Sequence, residues 1–372
     1  MRLALALAVV AACVCASAVR AAPVPPIDAK AYLAVDARTG QVLASSHADE
    51  ELPIASLTKL MTVLLTLEHH KLTDVVTVDK RAALVGESSI QLTVGQKITV
   101  HDLLEGALIQ SANDAADALA LSMAKDYGAF AELMNAKARE LGLTHTRFVR
   151  PDGLDAPGEY SSAVDITKLA RIVMRNSFVR AAVQKETATI ADGQQLHTWD
   201  DLLGLFPGVF GVKTGHTDDA GWCQVAAVRG NGVSVYVTVL GGPTRTVRNQ
   251  DLASLAAWGL AQFRGVTAVQ LGRSYATVKL AYGRKPLRLV AQRSLNVTVR
   301  LGHPLTQTVI APRSARLPVR KGAVLGRVEI RDGGTLIGTR DLIASRSVSR
   351  PGVLGRLGFY SRRTVHHLAH LL

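Results

Sequence analysis

An apolar segment from Ser56 to about His70 constrains the fold more than any other part of the 372-residue sequence. Apolar residues fall on nearly every side of a helix drawn through it, so the helix predicted over 56–70 must lie buried at the centre of a domain. Ser56 and Lys59 stand at its head, and helical spacing places both side chains on one face, one turn apart. Groups at the end of a buried helix are rigidly held, as chemistry requires.

The Ser56–Lys59 pair has the composition of a nucleophile and its base. Serine needs a neighbouring base at neutral pH, and a lysine can serve if burial or nearby cations keep it neutral. Backbone N–H groups and the positive end of the helix dipole would favour the negative charge that develops on an attacked carbonyl. The alternative is a serine N-cap followed by an unrelated lysine, because Ser-x-x-Lys occurs by chance about once in a chain of this length.

The first 22 residues have the pattern of a secretory signal peptide. A short apolar run over 3–14 precedes the small-residue segment 16–18, which is typical of a cleavage site, and the run is too short to span a membrane. A lipoprotein signal at Cys13 is the alternative. Both interpretations predict an exported protein, in which cleavage after the small-residue segment leaves Cys223 alone and excludes an internal disulfide.

Charge is unevenly distributed along the chain. Residues 1–264 contain 24 Lys and Arg and 27 Asp and Glu, a net charge of −3, whereas residues 265–372 contain 19 and 3, a net charge of +16. This shift predicts a domain boundary near Gly265. The sequence therefore divides into a signal peptide, a larger domain, a basic domain and a basic tail, over 1–22, 23–264, 265–348 and 349–372.

A second candidate motif lies where two predicted helices, 102–109 and 114–125, are joined by a tight turn. Ser111 in this turn can relay a proton, and Asn113 can offer both a donor and an acceptor to a substrate amide. The alternative is that both residues only cap a helix, which serine and asparagine do well.

A third candidate motif, Lys213-Thr214-Gly215, is predicted to begin a strand that precedes a β-hairpin over 222–228 and 233–240. A lysine and a threonine hydroxyl can hold a carboxylate, and glycine lets a substrate backbone approach closely. At average residue usage this triplet occurs by chance in fewer than about one protein chain in ten. A further strand–turn–strand is predicted from Tyr32 to Ala44.

Ser-x-x-Lys, Ser-x-Asn and Lys-Thr-Gly in this order resemble the signature of penicillin-binding proteins and serine β-lactamases. Segments 53–62, 153–158 and 212–215 resemble the D-alanyl-D-alanine carboxypeptidases, which are low-molecular-mass penicillin-binding proteins, and residues 266–346 resemble that family's small C-terminal domain. The resemblance implies an α+β fold, in which a β-lactamase/transpeptidase-like catalytic domain precedes a small all-β domain. That catalytic domain has an antiparallel sheet flanked by helices and a helical subdomain.

The resemblance also implies an enzyme that removes the terminal D-alanine from peptidoglycan stem peptides through an acyl-enzyme and is inhibited by β-lactam antibiotics. Ser56 resembles the nucleophile, Lys59 its general base, and Ser111 the residue that passes a proton to the leaving amine. The implied substrate-binding residues, with the backbone N–H groups of Ser56 and His216 as the oxyanion hole, are Asn113, Lys213, Thr214, Gly215, His216 and Arg248.

Two positions depart from the family pattern. Asp152 stands where relatives often have histidine, and it places a carboxylate near the rim of the cleft. Asp200 and Asp201 occupy a stretch where asparagine is usual. Either they are two solvated loop acids, or Asp201 faces the cleft and helps to keep Lys213 charged.

Other functions are less well supported. A β-lactamase would need fast deacylation, and no Glu-x-x-Leu-Asn follows the second motif. A non-catalytic wall-binding protein on the same fold is the other alternative. No cofactor, metal or nucleic acid is expected, because no phosphate loop or His-Glu-x-x-His is present and the pair His366 and His370 lacks a third ligand.

The tail has the pattern of an amphipathic helix that starts near Phe359 and lies in a membrane interface. Basic residues line one side and apolar residues the other: Arg356, Arg363, His367 and His370 against Leu357, Val365, Leu368, Leu371 and Leu372. An anionic membrane surface is therefore the predicted partner, and the predicted location is the outer face of the cytoplasmic membrane, the cell wall or the periplasm. A disordered basic end is the alternative.

Overall fold

The structure, a computed structural model, describes residues 7–14 and 22–369, with side chains over 22–361. The chain forms two compact units: Ala22–Gln262, here called the larger unit, and Phe263–Leu372 together with the N-terminal segment, here called the smaller unit. Across the described residues, no helix combines the length and apolarity needed to cross a bilayer.

The larger unit is built on a five-stranded antiparallel sheet with strand order β3-β2-β10-β9-β8. Strands are numbered along the whole chain, β1 being Leu7–Val14 of the smaller unit. The sheet strands are β2 Ala31–Asp36, β3 Val42–Ser46, β8 Val209–Thr217, β9 Gly221–Gly230 and β10 Val233–Gly242. Two small hairpins are formed by β4 Val75–Thr77 with β5 Lys97–Thr99, and by β6 Thr187–Thr189 with β7 Gln195–His197.

Helices cover both faces of this sheet. Thr238 hydrogen-bonds Thr167 of one helix, whereas Val235 lies beside Gly259 of another; side chains three apart on a strand point to opposite faces. The helices are α1 Lys59–His69, α2 Lys80–Ala83, α3 Val100–Glu105, α4 Asn113–Met123, α5 Tyr127–Glu140, α6 Ala163–Val173, α7 Ser177–Ala182 and α8 Arg245–Ala261.

The predicted central helix is confirmed with one difference. Helix α1 is buried along Leu60, Met61 and Val63, but Ser56 lies in a preceding 3₁₀ turn, Ala55–Thr58. In a 3₁₀ turn the side chains at positions i and i+3 lie directly above one another, so this tightening brings Ser56 still closer to Lys59.

The other predicted elements of the larger unit agree, apart from two details. The helix predicted over 102–109 is α-helical only to Glu105 and continues as a π-helix over Gly106–Gln110. The strand–turn–strand and the later hairpin are confirmed as β2–β3 and β9–β10. The prediction that Lys213-Thr214-Gly215 begins its strand is wrong, since β8 starts at Val209 and the triplet lies in its second half. Gly211 lies within β8 at φ +120°, where the register shifts in a β-bulge.

The smaller unit has a seven-stranded sheet with order β1-β15-β17-β18-β13-β12-β16 and a two-stranded sheet β11-β14. Its core is made by residues such as Val278, Leu289 and Ile330. The strands are β11 Phe263–Val269, β12 Ser274–Leu280, β13 Leu287–Ala291, β14 Leu295–Arg300, β15 Leu305–Pro312, β16 Ser314–Ala315, β17 Val324–Asp332 and β18 Thr335–Ala344.

Both ends of the chain belong to this smaller unit. Strand β1 pairs antiparallel with β15; the rest of the predicted signal peptide falls outside the described residues. Helix α9, Val353–Ala369, overlaps the predicted tail helix but begins before Phe359, and residues 370–372 of that prediction fall outside the described residues. The predicted start is wrong because the cost of each glycine, about 1 kcal/mol, does not stop the helix. The side chains of His366 and His370 lie outside the description.

Candidate active site

The three motifs meet in one open cleft of about 770 Å³ in the larger unit. Ser56 comes from the 3₁₀ turn, Ser111 from the turn before α4, Asn113 from the first position of α4, and Thr214 from β8. The remaining lining residues are Glu87, Ser88, Trp199, Gly215, His216, Trp222, Arg245 and Arg248. All nine predicted site residues are thus brought together, Lys59 and Lys213 lying buried against Ser56 and Ser111.

Lys59 is fully buried and contacts three oxygen atoms. Its Nζ lies 2.8 Å from Ser56 Oγ, 2.7 Å from Asn113 Oδ1 and 2.6 Å from the backbone oxygen of Asp152. The Asn113 amide orientation is fixed because its Nδ2 donates to Gly86 O at 3.0 Å. A neutral amine has two N–H groups and one lone pair. Because Asn113 Oδ1 and the Asp152 oxygen can only accept hydrogen bonds, they take both N–H groups of the neutral amine, and its lone pair faces the Ser56 hydroxyl.

Burial also sets the protonation of Lys59. Loss of solvation lowers the pKa of Lys59 to about 8, although the buried Asp152, Asp117 and Glu159 carboxylates oppose this shift. At a pKa of about 8 roughly a tenth of the amine is neutral at pH 7. The site therefore holds a lysine that can take a proton from Ser56.

Close backbone approach requires glycine at two places around Ser56. Gly153 has φ +77°, and a Cβ there would lie 2.1 Å from the Ala55 oxygen. A Cβ on Gly215 would lie 3.0 Å from Ile54 O and 3.1 Å from Ser56 N. Ala55 and Ser111 themselves have φ +50° and +61°, a left-handed conformation that costs energy outside glycine.

Lys213 and Ser111 form the other half of the site. Lys213 Nζ donates to Ser111 Oγ at 2.7 Å and to the Thr214 backbone oxygen at 3.0 Å. Burial, with the charge of Lys59, holds the pKa of Lys213 well below its usual range, and Asp200 opposes that shift. Two amines and two hydroxyls therefore surround the position that a substrate carbonyl would occupy between Ser56 and Ser111.

Arg248 and Arg245 are held at the far end of the cleft by Asp201. The Arg248 side chain is buried, and its Nη2 lies 3.1 Å from Asp201 Oδ2, while Arg245 Nε donates to the same oxygen at 2.7 Å. Each guanidinium also faces an indole ring: Arg245 lies 5.5 Å from the Trp199 centroid and Arg248 5.5 Å from that of Trp222. This arrangement fixes two cations beside the cleft.

The interpretation of Asp200 and Asp201 as solvated loop acids is wrong. Asp200 is buried, accepts from Gln224 Nε2 at 2.8 Å, and has its pKa raised by burial. The Arg245 hydrogen bonds hold the pKa of Asp201 below its usual range. Asp200, rather than Asp201, is the carboxylate that supports the charge of Lys213.

A buried acidic cluster lies behind Lys59, and sequence reasoning missed most of it. Asp152 was expected at the cleft rim, but it is fully buried and pairs with Arg150 through bonds of 2.9 and 2.7 Å. Burial, reinforced by Asp152, raises the pKa of Asp117 to about 8, and burial raises that of Glu159 to about 7. The one available signal was helical spacing, because Asp117 follows Asn113 by four residues on α4.

Two family profiles match this chain. The D-alanyl-D-alanine carboxypeptidase family matches residues 18–244, and the C-terminal domain of penicillin-binding protein 5 matches residues 263–350. The chain belongs to the D-alanyl-D-alanine carboxypeptidase family. The family resemblance of the three motifs is thereby confirmed.

Curated members of this carboxypeptidase family are similar along nearly their whole length. D-alanyl-D-alanine carboxypeptidase DacC of Escherichia coli is 35% identical over 350 residues, covering 90% of this chain and 87% of the relative. D-alanyl-D-alanine carboxypeptidase DacF of Bacillus subtilis is 29% identical over 344 residues, which cover 88% of this chain and 87% of the relative.

Solved penicillin-binding proteins share the fold. Penicillin binding protein 5 from Haemophilus influenzae superposes with a TM-score of 0.64 at 27% identity, covering 89% of this carboxypeptidase-family chain and all of that chain. Penicillin-binding protein D2 from Listeria monocytogenes, solved in an ampicillin-bound form, gives a TM-score of 0.58 at 32% identity. The match covers 63% of this chain and 98% of the Listeria chain. The predicted α+β catalytic fold followed by a β-domain is confirmed.

Within the described residues, His, Cys, Asp and Glu side chains form no group of three or more that could hold a metal ion.

Proposed function

We propose that this protein is a serine-type D-Ala-D-Ala carboxypeptidase that removes the terminal D-alanine from peptidoglycan stem peptides. One observation carries the proposal: the buried Lys59 Nζ lies 2.8 Å from Ser56 Oγ and also contacts Asn113 Oδ1 and Asp152 O. When Lys59 is neutral, these two acceptors take both of its N–H groups, and its lone pair is left for the Ser56 hydroxyl. This pairing supplies what a serine nucleophile lacks at neutral pH.

Acylation begins when Ser56 Oγ attacks the carbonyl carbon of the penultimate D-alanine. Lys59 takes the hydroxyl proton, and the negative charge moves to the carbonyl oxygen. The backbone N–H groups of Ser56 and His216 stabilise that oxyanion, the role of fixed donors at the point where charge develops.

Collapse of the tetrahedral intermediate breaks the peptide bond and releases D-alanine. Ser111 gives its proton to the leaving amine, and Lys213 Nζ, at 2.7 Å, supports the transient oxygen charge until Ser111 recovers the proton that Lys59 took from Ser56. Lys213, Thr214 and Arg248 bind the D-alanine carboxylate, and Asn113 orients the substrate amide. Lys59, now neutral again, then takes a proton from the water that attacks the Ser56 ester and returns it to Ser56 Oγ as the ester bond breaks, which restores the free hydroxyl.

The decisive assay is D-alanine release from a D-Ala-D-Ala peptide by the purified protein, run beside nitrocefin hydrolysis. We expect multiple turnovers of the peptide and no more than slow turnover of nitrocefin, since β-lactams should remain as long-lived acyl-enzymes. Rapid nitrocefin turnover would make the protein a β-lactamase. Absence of D-alanine above background would leave a non-catalytic wall-binding protein.

The proposed base predicts the pH profile. Because the reactive form of Lys59 is neutral, kcat/KM for acylation should rise about tenfold per pH unit below the Lys59 pKa of about 8 and level above it. Penicillin acylation rates across this range measure it, with circular dichroism at each pH to show that the fold persists. A rate independent of pH between about pH 6 and 8 would contradict Lys59 as the base.

Asp201 should act on substrate binding. Asp201→Asn weakens the ion pairs that hold Arg245 and Arg248 beside the cleft, so we expect a rise of about three- to tenfold in KM with a smaller change in kcat. Asp192→Asn, at an exposed acid elsewhere in this unit, is the matched control. Equal kinetics for the parent and Asp201→Asn would remove Asp201 from substrate binding.

The proposal extends to location. The signal-peptide pattern of residues 1–22 supports export, which would remove the segment Leu7–Val14. The tail helix α9, with its exposed Leu354 and Leu357, supports peripheral attachment to an anionic membrane surface on the outer side of the cytoplasmic membrane.

A further inference from the structure

A tight turn joins strands β12 and β13 of the smaller unit, and it has an unusual residue at its tip. Tyr282 and Gly283 both have positive φ values, +61° and +62°, and Arg284 N bonds Ala281 O. This is the geometry of a type I′ turn, whose first central position normally holds glycine, asparagine or aspartate. A tyrosine there costs conformational energy, so its presence calls for a role of the ring.

The Tyr282 ring contacts the tail helix. It lies 5.8 Å from the Phe359 ring and 6.2 Å from the Tyr360 ring, in edge-to-face arrangements. Gly283 lies against Phe359 as well, since a Cβ there would meet that ring at 3.4 Å. The turn and α9 thus form one aromatic cluster, here called the tip cluster, of Tyr282, Phe359 and Tyr360.

Cations surround this tip cluster. Arg284, Lys285 and Arg288 follow the turn and are exposed, and the exposed Arg346 joins them, with its Nη2 donating to Lys285 O at 2.8 Å. Because Ser345 N bonds Arg288 O at 3.1 Å, the end of β18 lies directly beside this group.

The acids of the smaller unit are bound elsewhere. It has three, of which Glu329 pairs with Arg327 and Arg331, and Asp332 with His303. The third acid, Asp341, lies near the far end of β13, away from the turn. Its backbone oxygen there accepts a hydrogen bond from Gln292 N. The cations beside the tip cluster therefore form a positive surface, because none of the three acids pairs with them.

Apolar side chains complete the surface. On α9, Val353, Leu354 and Leu357 are 65%, 85% and 60% exposed, and Tyr360 is 54% exposed. Aromatic rings, aliphatic side chains and cations together match a membrane interface, where rings sit at headgroup level and cations meet anionic lipids. An anionic polysaccharide offers no hydrocarbon for the leucines, and a second copy of this positive face would be repelled.

We propose that the β12–β13 turn is itself a membrane-contact element and that, with α9, it docks the smaller unit on an anionic phospholipid surface. The inference rests on the proposed peripheral attachment and adds a second point of contact. Two contacts fix the orientation of the unit, whereas a helix alone would leave it free to rotate.

Co-sedimentation of the full-length chain with vesicles tests this. The lipid is phosphatidylcholine with or without a minor share of phosphatidylglycerol. We expect Arg284→Gln/Lys285→Gln to weaken binding to the anionic vesicles about 25-fold, a factor of about 5 for each cation. Arg273→Gln/Arg293→Gln removes equal charge at the opposite end of the β12–β13 hairpin, about 20 Å away and beyond a Debye length, and should change binding less than threefold.

Two further comparisons separate the turn from the tail. Tyr282→Ala should weaken binding to both vesicle types, because it removes a ring rather than a charge. The proposal would be overturned if Arg284→Gln/Lys285→Gln bound anionic vesicles as well as the parent, or if it and the control Arg273→Gln/Arg293→Gln lost binding equally. A chain ending at Arg350 tests the tail. If this truncated chain loses binding while Arg284→Gln/Lys285→Gln has no effect, attachment is due to the tail alone. If the parent does not bind, both the proposed peripheral attachment and the turn contact are overturned. Circular dichroism and thermal melting show that the smaller unit of each variant is folded, and unchanged D-alanine release shows the same for the larger unit.

Discussion

Ser56→Ala should abolish covalent labelling by a fluorescent penicillin and lower D-alanine release by at least about 10⁴-fold. The substitution removes the one hydroxyl that faces the lone pair of Lys59, at 2.8 Å, so no acyl-enzyme can form. Folding should be little affected, because the Lys59 amine keeps its bonds to Asn113 Oδ1 and Asp152 O.

Ser88→Ala is the matched control for this variant. Ser88 lines the same cleft, but its hydroxyl donates to Gln110 O at 2.8 Å and does not contact Lys59. Labelling should persist in Ser88→Ala at a rate within about tenfold of the parent, the cost of one structural hydrogen bond. Labelled Ser56→Ala protein, or peptide turnover by it, would show that another residue is the nucleophile.

The central helix and the sheet could be predicted because their signals are local. A helix that is apolar on nearly all sides, such as 56–70, has to be buried, and two largely apolar runs around Gly230-Asn231-Gly232 define a hairpin. Three short motifs in a fixed order identified the family, and the structure places their seven site residues, together with His216 and Arg248, in or against one cleft.

The strain and the acidic cluster could not be predicted, because they arise from segments far apart in sequence. The left-handed Ala55 depends on the approach of Gly153, nearly a hundred residues later. Asp152 looked like a rim residue because nothing local reveals that its carboxylate, which pairs with Arg150 two residues away, is fully buried. Predicting the Lys59 pKa requires that tertiary context, since burial and three distant carboxylates set it.

Gly153→Ala is expected to disable the site by displacing the nucleophile. An alanine Cβ at this position would lie 2.1 Å from Ala55 O, 2.6 Å from Ala55 C and 2.9 Å from Thr58 Cβ. Two of these atoms are backbone, so the turn that carries Ser56 must move. A shift of about 1 Å in a reacting group costs on the order of 100-fold in rate, and we expect at least that loss in penicillin acylation, with a lowered Tm.

Gly95→Ala separates the steric effect from the conformational one. Gly95 has φ +79°, close to the +77° of Gly153, but a Cβ there would meet nothing within 4 Å. Both variants force alanine into a left-handed conformation, at about 1–2 kcal/mol, yet only one also displaces Ser56. Gly95→Ala should therefore lower Tm by a few degrees and leave acylation within about twofold of the parent.

Gly215→Ala keeps the test decisive if Gly153→Ala does not fold. Gly215 has no positive φ, and its Cβ would lie 3.0 Å from Ile54 O and 3.1 Å from Ser56 N, on the other side of the same turn. The smaller overlap should give a folded protein with an intermediate loss of acylation, about tenfold. Full acylation rates in folded Gly153→Ala or Gly215→Ala protein would contradict the idea that these two close approaches hold Ser56 in place. Losses graded by overlap, with Gly95→Ala unaffected, would mean that the position of the nucleophile is set by backbone contact on both sides of its turn.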